Sequence, residues 1–270
     1  MVPYFSNSFL IIIGNTDDKI LFEKYNRERK AEYRCGIRII TEDGAKYVIK
    51  YPLSEESKQH IRQIYENTNY FVNKSGKIQY ISGNLEGDTF VSDYVEGVSL
   101  DSILFQYRHE PKQMVEEIKK LIDECYLSED EDNLDFIISE QFKKVFGTHF
   151  PENKKSLERT NIDGIFQNMI LSDGKVMLFD CEWVFDFPIP YEYVIWRTIF
   201  ITYKKFQAYL MSKISLREFV NQCGISERDN EIYEKMEQSF MEYIYGQNGS
   251  EVYTSNYVKP AIMQSTRIWE

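Results

Sequence analysis

Two periodicities divide this chain, and the point where one gives way to the other constrains its fold more than any single motif. Up to residue 51 the apolar residues come in short runs, Phe9 to Ile13, Ile20 to Tyr25, Tyr33 to Thr41 and Tyr47 to Tyr51. Glu42-Asp43-Gly44 separates the last two. Asp-Gly between apolar runs signals a hairpin, because both central residues of a tight primed turn take positive φ. Lys77 to Ile81 and Thr89 to Tyr94 read as a further strand pair around Asn84 to Asp88. Ser54-Glu55-Glu56 opens one early helix, a capping serine followed by acids, which runs through Glu66. From Leu100 the spacing becomes helical: Val115, Ile118, Ile122 and Cys125 share one face of a helix that follows Pro111. Further helices are expected over Phe136 to Phe146, closed by Gly147, then Tyr193 to Met211, Ser215 to Gln222 and Glu227 to Tyr245. The order predicts an α+β chain, antiparallel β with one helix at first and mainly helical from Leu100 onward.

A chain of 270 residues with 43% hydrophobic and 28% charged residues has enough apolar material for one good core or two small ones. Its formal net charge of −11 argues against affinity drawn mainly from nucleic-acid phosphates. Cys35, Cys125, Cys181 and Cys223 lie far apart with no metal-binding spacing, which points to reduced thiols and a cytoplasmic chain. No run is long enough for a transmembrane helix, and Phe9 to Ile13 is too short for a signal-peptide core. The acidic stretch Ser128 to Asn133 reads as a solvated loop, since it lacks the glycine-centred spacing of a calcium loop.

The chemistry concentrates between Asn161 and Phe187. Asp163, Asn168 and Asp180 sit there among apolar neighbours, Asp180 at the end of the apolar run Val176 to Phe179. A carboxylate in such a place is costly to desolvate unless hydrogen bonds or a cation compensate it. A hard divalent ion held by carboxylate and amide oxygens, with phosphates completing its shell, meets that need.

D-x4-N, a hairpin and an Asp at a strand end resemble the catalytic and metal-binding loops of the two-lobed protein-kinase-like fold. Asp180-Cys181-Glu182, acidic-x-acidic, is similar to the choline/ethanolamine kinase and aminoglycoside phosphotransferase type. The run from Trp183 to Pro190 resembles kinase modules associated with bacterial surface-polysaccharide (O-antigen) synthesis, which often accompany a glycosyltransferase or methyltransferase. The resemblance implies an ATP- and Mg2+-dependent phosphotransferase acting on a hydroxyl of a small molecule or glycan.

Residue by residue, the resemblance gives Asp163 the incoming hydroxyl proton and Asn168 and Asp180 the magnesium. Glu182 would take a second metal or its water shell, or pair with an arginine. Val48-Ile49-Lys50 resembles the strand whose lysine holds the α- and β-phosphates, with Glu66, sixteen residues on, as its partner and Glu56 as a weaker one. Asp93 to Leu100 resembles the hinge, where backbone groups of Tyr94, Val95 and Glu96 would bond the adenine edge and Gly97 would permit the bend. The resemblance implies a nucleotide-binding lobe over 1–97 and a catalytic and acceptor-binding lobe over 98–270. Trp183 is the candidate acceptor-binding ring, with hydrophobic anchoring favoured for Phe185 and Phe187.

Three departures accompany the resemblance. The loop from Asn26 to Glu32 has no glycine, so Arg27, Arg29 or Lys30 would have to clamp phosphates unless it is simply a charged turn. Asn161 and Ile162 replace the histidine and arginine of H-R-D, and no Ala-Pro-Glu segment follows, which implies no activation-loop switch. Besides the glycan kinase, two readings remain open: a choline-, ethanolamine- or aminoglycoside-type kinase, and an ATP-binding pseudokinase scaffold.

Overall fold

The computed structural model describes residues 19–74, 76–126, 134–246, 249 and 251. The run Phe9 to Ile13, the acidic loop Ser128 to Asn133 and nearly all of the tail lie outside them. Two compact units form, one from residues within 1–74 and 81–95, the other from 75–80 and 96 onward.

In the first unit, β1 (Lys19–Tyr25), β2 (Cys35–Glu42) and β3 (Ala45–Pro52) are followed by helix α1 (Lys58–Val72). After β4 (Ile78–Tyr80), which belongs to the second unit, come β5 (Gly83–Glu86) and β6 (Thr89–Asp93). The sheet runs β1-β2-β3-β6-β5, antiparallel throughout. The β2–β3 turn has the expected geometry: Glu42 faces Ala45, and Asp43 and Gly44 take φ of 48° and 82°. One face of the sheet packs on α1, where Cys35, Ile61, Ile64 and Phe90 form the core.

Two expectations need correcting here. The partner of β6 is β5, not the Lys77 to Ile81 run. Gly87 (φ 61°) and Asp88 close a two-residue hairpin with Glu86 opposite Thr89, so the residues just before the turn must pair. Helix α1 starts at Lys58, because Ser54 is engaged in the preceding turn: its Oγ donates to the Ala31 carbonyl and accepts from the Ser57 N–H.

The second unit opens with β7 (Val98–Ser99), α2 (Leu100–Phe105) and α3 (Pro111–Cys125). Then follow β8 (Leu134–Asp135), α4 (Glu140–Phe146), β9 (Lys155–Ser156) and β10 (Thr160–Asn161). The hairpin of β11 (Met169–Ser172) and β12 (Lys175–Leu178) precedes β13 (Val184–Phe185) and helices α5 (Tyr191–Leu210), α6 (Leu216–Gln222) and α7 (Glu227–Tyr245). Strand β4 runs parallel to β12, and β7 pairs with β11. The α4 helix is shorter than its apolar pattern because Ser139 caps it, accepting the Phe142 N–H at 3.0 Å.

Helix α5 is buried on nearly every side, with Tyr193, Trp196, Phe200, Tyr203 and Phe206 among its covered residues. Aromatic rings of α4 and α7, Phe142, Phe146, Tyr233 and Phe240, complete this core. Arg197 of α5 and Glu237 of α7 are buried within it. No helix among the described residues is long and apolar enough to cross a membrane.

Candidate active site

Two short pairings assemble the acidic residues of the second unit. β10 lies antiparallel to β13, Thr160 opposite Phe185 and Asn161 opposite Val184, and the Ile162 N–H continues the ladder to the Trp183 carbonyl at 3.0 Å. This brings residues 161–163 beside 180–183. The β11–β12 hairpin closes through Asp173 (φ 49°) and Gly174 (φ 75°), and the Phe179 N–H donates to the Asn168 carbonyl at 3.2 Å. Asn168 and Asp180 are thereby held at the open ends of paired strands.

Carboxylate oxygens of Asp163, Asp180 and Glu182 lie within 4.8 Å of one another. Asp163 and Glu182 are buried, at 7% and 6% exposed, while Asp180 is partly exposed. Ionised together at that separation, each pair repels by about 3 kcal/mol or more at an effective dielectric constant of 20. The carboxyl of Asp163 is pushed up to about 7, chiefly by burial and then by the charge of Asp180, with Glu182 adding to the rise. Arg197 and the Trp183 N–H oppose that rise without cancelling it.

Asn161 joins the two acidic segments. Its Oδ1 accepts the Asp163 N–H at 2.9 Å, and its Nδ2 donates to the Asp180 carbonyl at 2.9 Å and lies 3.7 Å from the Cys181 sulfur. The asparagine in the position of the expected histidine therefore serves as a tie between backbone groups. Asp163 Oδ2 accepts the Trp183 N–H at 3.0 Å, and Asp180 Oδ1 accepts the Glu182 N–H at 3.1 Å.

Three successive carbonyls of the loop each accept a side-chain donor. Arg197 Nη1 reaches Ile162 at 2.8 Å, Asn168 Nδ2 reaches Asp163 at 2.9 Å, and the Tyr126 hydroxyl bonds Gly164. With its amide nitrogen turned inward to the backbone, Asn168 has its side-chain oxygen to offer a cation. The donor set therefore fits a hard divalent ion: three clustered carboxylates and an amide oxygen, with no sulfur or imidazole among the oxygen donors named.

The remaining expected site residues divide. Lys50 stands on β3 opposite Phe90, on the face of the sheet that packs against α1, and is 4% exposed. Glu66 does not share that burial. It is exposed, because Ile61, Ile64 and Thr68 set the buried stripe of α1 and Glu66 is two residues round from Ile64. Glu56, before the helix, is exposed as well. In the hinge stretch, the Tyr94 N–H bonds the Lys46 carbonyl at 3.0 Å, and Tyr94 and Glu96 are exposed while Val95 is half-buried. Gly97 is required for a reason other than a bend: a Cβ there would stand 2.4 Å from Ile170 Cγ2 and 2.6 Å from the Leu171 carbonyl oxygen.

Trp183 needs correction as an acceptor-stacking ring. It is 7% exposed and packs edge-on against Phe240 with centroids 5.4 Å apart, so its ring is a core anchor and its backbone serves the site. Phe185 and Phe187 also pack on Phe146. Tyr126, Arg197 and Glu237 belong to the site and were not expected from the sequence. An arginine inside the apolar run Val194 to Tyr203, and an acid in phase with Tyr233 and Phe240, are the signals that could have found two of them.

No protein-family model matches the chain, and no curated protein sequence matches it. Among solved structures it is similar to the choline kinase LicA from Streptococcus pneumoniae, at 14% identity over 83% of this chain and 89% of that one, with a TM-score of 0.45. A type I macrolide 2'-phosphotransferase gives 9% identity over 90% and 91%, with a TM-score of 0.44. The Plasmodium vivax ethanolamine kinase Pv091845 gives 11% identity over 87% and 80%, with a TM-score of 0.40.

Proposed function

We propose that this protein is an ATP- and Mg2+-dependent phosphotransferase that moves the γ-phosphate to a hydroxyl. One observation carries the reading: Asp163, Asp180 and Glu182, from two segments seventeen or more residues apart, converge to within 4.8 Å beside Asn168. Such a cluster is electrostatically unfavourable by itself and becomes favourable around a divalent cation that also binds phosphate. The cation would neutralise charge on the transferring phosphoryl group. Asp180, Glu182 and the side-chain oxygen of Asn168 would hold it. Asp163, held between the Trp183 N–H and Arg197, would orient the acceptor hydroxyl and take its proton.

We carry forward Lys50 and the backbone of Tyr94 to Glu96 as nucleotide contacts, on the sequence resemblance alone. The acceptor we infer is a sugar hydroxyl of a surface glycan or its precursor, on the resemblance of Trp183 to Pro190. The test is transfer of labelled γ-phosphate from ATP to a panel of sugars, lipid-linked glycans, choline, ethanolamine and aminoglycosides. Magnesium-dependent labelling of a glycan, lost in Asp163→Asn, supports the reading. Labelling of an amino alcohol or aminoglycoside alone would replace the acceptor, and nucleotide binding without transfer to any acceptor or to water would favour a scaffold.

A further inference from the structure

We propose that Arg197 is the positioning residue for Asp163, and that Glu237 and Tyr193 act on the site only by fixing Arg197. The inference rests on the phosphotransfer reading for its kinetic consequences and on geometry for the rest. Arg197 lies in the middle of α5 and is 6% exposed. Its Nη1 donates to the Ile162 carbonyl at 2.8 Å and lies 3.4 Å from Asp163 Oδ1, so one nitrogen addresses both the carboxylate and the peptide before it. Its Nε donates at 2.9 Å to Glu237 Oε2 on α7, which also accepts the Tyr193 hydroxyl at 2.6 Å. The guanidinium lies 5.4 Å from the Phe240 ring centroid.

Glu237 is fully buried, and its Oε1 has no hydrogen-bond partner among the described residues. A buried carboxylate with half its acceptor capacity unused is a costly way to stabilise a core. Its evident work is to fix the guanidinium: Glu237 and Tyr193 lock Arg197 in rotation, and Arg197 holds Asp163 from the side opposite Trp183. The planar fork suits this, since Nε and Nη1 point to different partners at a fixed angle. Lysine can reach one of them but not both. None of these groups but Asp163 belongs to the carboxylate cluster itself, so Arg197 acts through Asp163.

The experiment combines turnover with amide exchange. Arg197→Met is expected to lower kcat for Mg2+-dependent ATP turnover, read as phosphate released to water, by about 100-fold, the scale of a displaced catalytic group. KM for ATP should stay within about threefold, and Arg197→Lys should recover part of kcat. Because Arg197 works through Asp163, the Asp163→Asn/Arg197→Met double variant should be no slower than Asp163→Asn alone.

In protein labelled with 15N-tryptophan, exchange of the Trp183 amide, which bonds Asp163, should accelerate more than tenfold in Arg197→Met. The Trp196 amide within α5 serves as the control for global opening. Multiplicative losses in the double variant, or an unchanged Trp183 amide, would overturn the proposal. If the wild-type protein transfers phosphate neither to water nor to any acceptor of the panel, the phosphotransfer reading fails, and the exchange measurement still decides whether Arg197 positions Asp163. If Arg197→Met does not fold, Arg197→Lys, which keeps the buried charge, takes its place; wild-type kcat and wild-type Trp183 exchange in that variant would refute the assignment.

Discussion

Replacing Tyr126 by phenylalanine removes one oxygen and should loosen the loop that carries Asp163. The Tyr126 side chain is buried, and its hydroxyl bonds the Gly164 carbonyl and lies 2.9 Å from Thr198 Oγ1. Thr198 keeps a partner without it, since its hydroxyl also reaches the Val194 carbonyl at 3.0 Å. The Gly164 carbonyl is the group stranded. Leaving one buried acceptor unsatisfied costs about 1–3 kcal/mol, with little cavity term because the ring remains. For a chain of this size that corresponds to a fall in Tm of roughly 2–12 °C. Urea unfolding of the two proteins should show a lower midpoint at an unchanged slope. Since the stranded carbonyl is next to Asp163, ATP turnover should fall as well. An unfolding free energy within about 0.5 kcal/mol of wild type would refute the reasoning, because it would mean that the Gly164 carbonyl is satisfied without Tyr126.

Two further outcomes follow from the buried thiols and from one ion-pair cluster. All four cysteines are buried and unpaired with one another; burial pushes the Cys125 thiol up to about 12, with Glu124 adding to it, and burial does the same to Cys223. An aromatic disulfide reagent at pH 8 should therefore react with none of them in the native protein and with all four in denaturant. Lys154 bonds Glu192 at 2.5 Å and Asp229 at 2.8 Å. Burial pushes the Asp229 carboxyl up, but Lys154 and Ser226 more than reverse this and hold it below its usual range. Burial likewise pulls the Lys154 amine down, and its two carboxylate partners leave it raised. The depressed acid contributes stability that is present above about pH 4 and is lost as pH falls through its lowered value. The raised amine contributes stability that is present below about pH 10 and is lost as pH climbs past its raised value. Both side chains keep some solvent contact, at 19% and 17% exposed, and each limb is worth on the order of 1 kcal/mol. Lys154→Met should flatten both ends of a stability–pH curve from urea titrations; an undiminished acid limb would contradict this.

What was legible in the sequence was what short-range chemistry decides. Asp43-Gly44 and Asp173-Gly174 adopt the positive φ their turns need, and the buried face of α3 carries Val115, Ile118, Ile122 and Cys125 as spaced. Helix α7 spans Glu227–Tyr245, as its pattern and the Ser226 cap require. The convergence of Asp163, Asp180 and Glu182 was readable because a hairpin and an antiparallel return connect them over a short stretch of chain.

Long-range choices were less accessible. Nothing local tells β4 to run beside β12, about a hundred residues on, in preference to the nearer β6. Glu66 was placed by counting from Lys50, whereas the phase of Ile61 and Ile64 turns it outward. Trp183 was read from the chemistry of its ring, and packing against Phe240 overrode that. Tyr126, Arg197 and Glu237 come from three helices that meet only in the folded unit, so their partnership with residues 162–164 has no local signature.

The central claim is that Asp180, Glu182 and Asn168, beside Asp163, hold the divalent ion that accompanies ATP. Electron paramagnetic resonance of Mn2+ in the presence of a non-hydrolysable ATP analogue tests it most directly. The account predicts protein-bound Mn2+ that requires the nucleotide, competes with Mg2+, and weakens by at least tenfold in Asp180→Asn. Equal Mn2+ binding by the wild-type and Asp180→Asn proteins would contradict it.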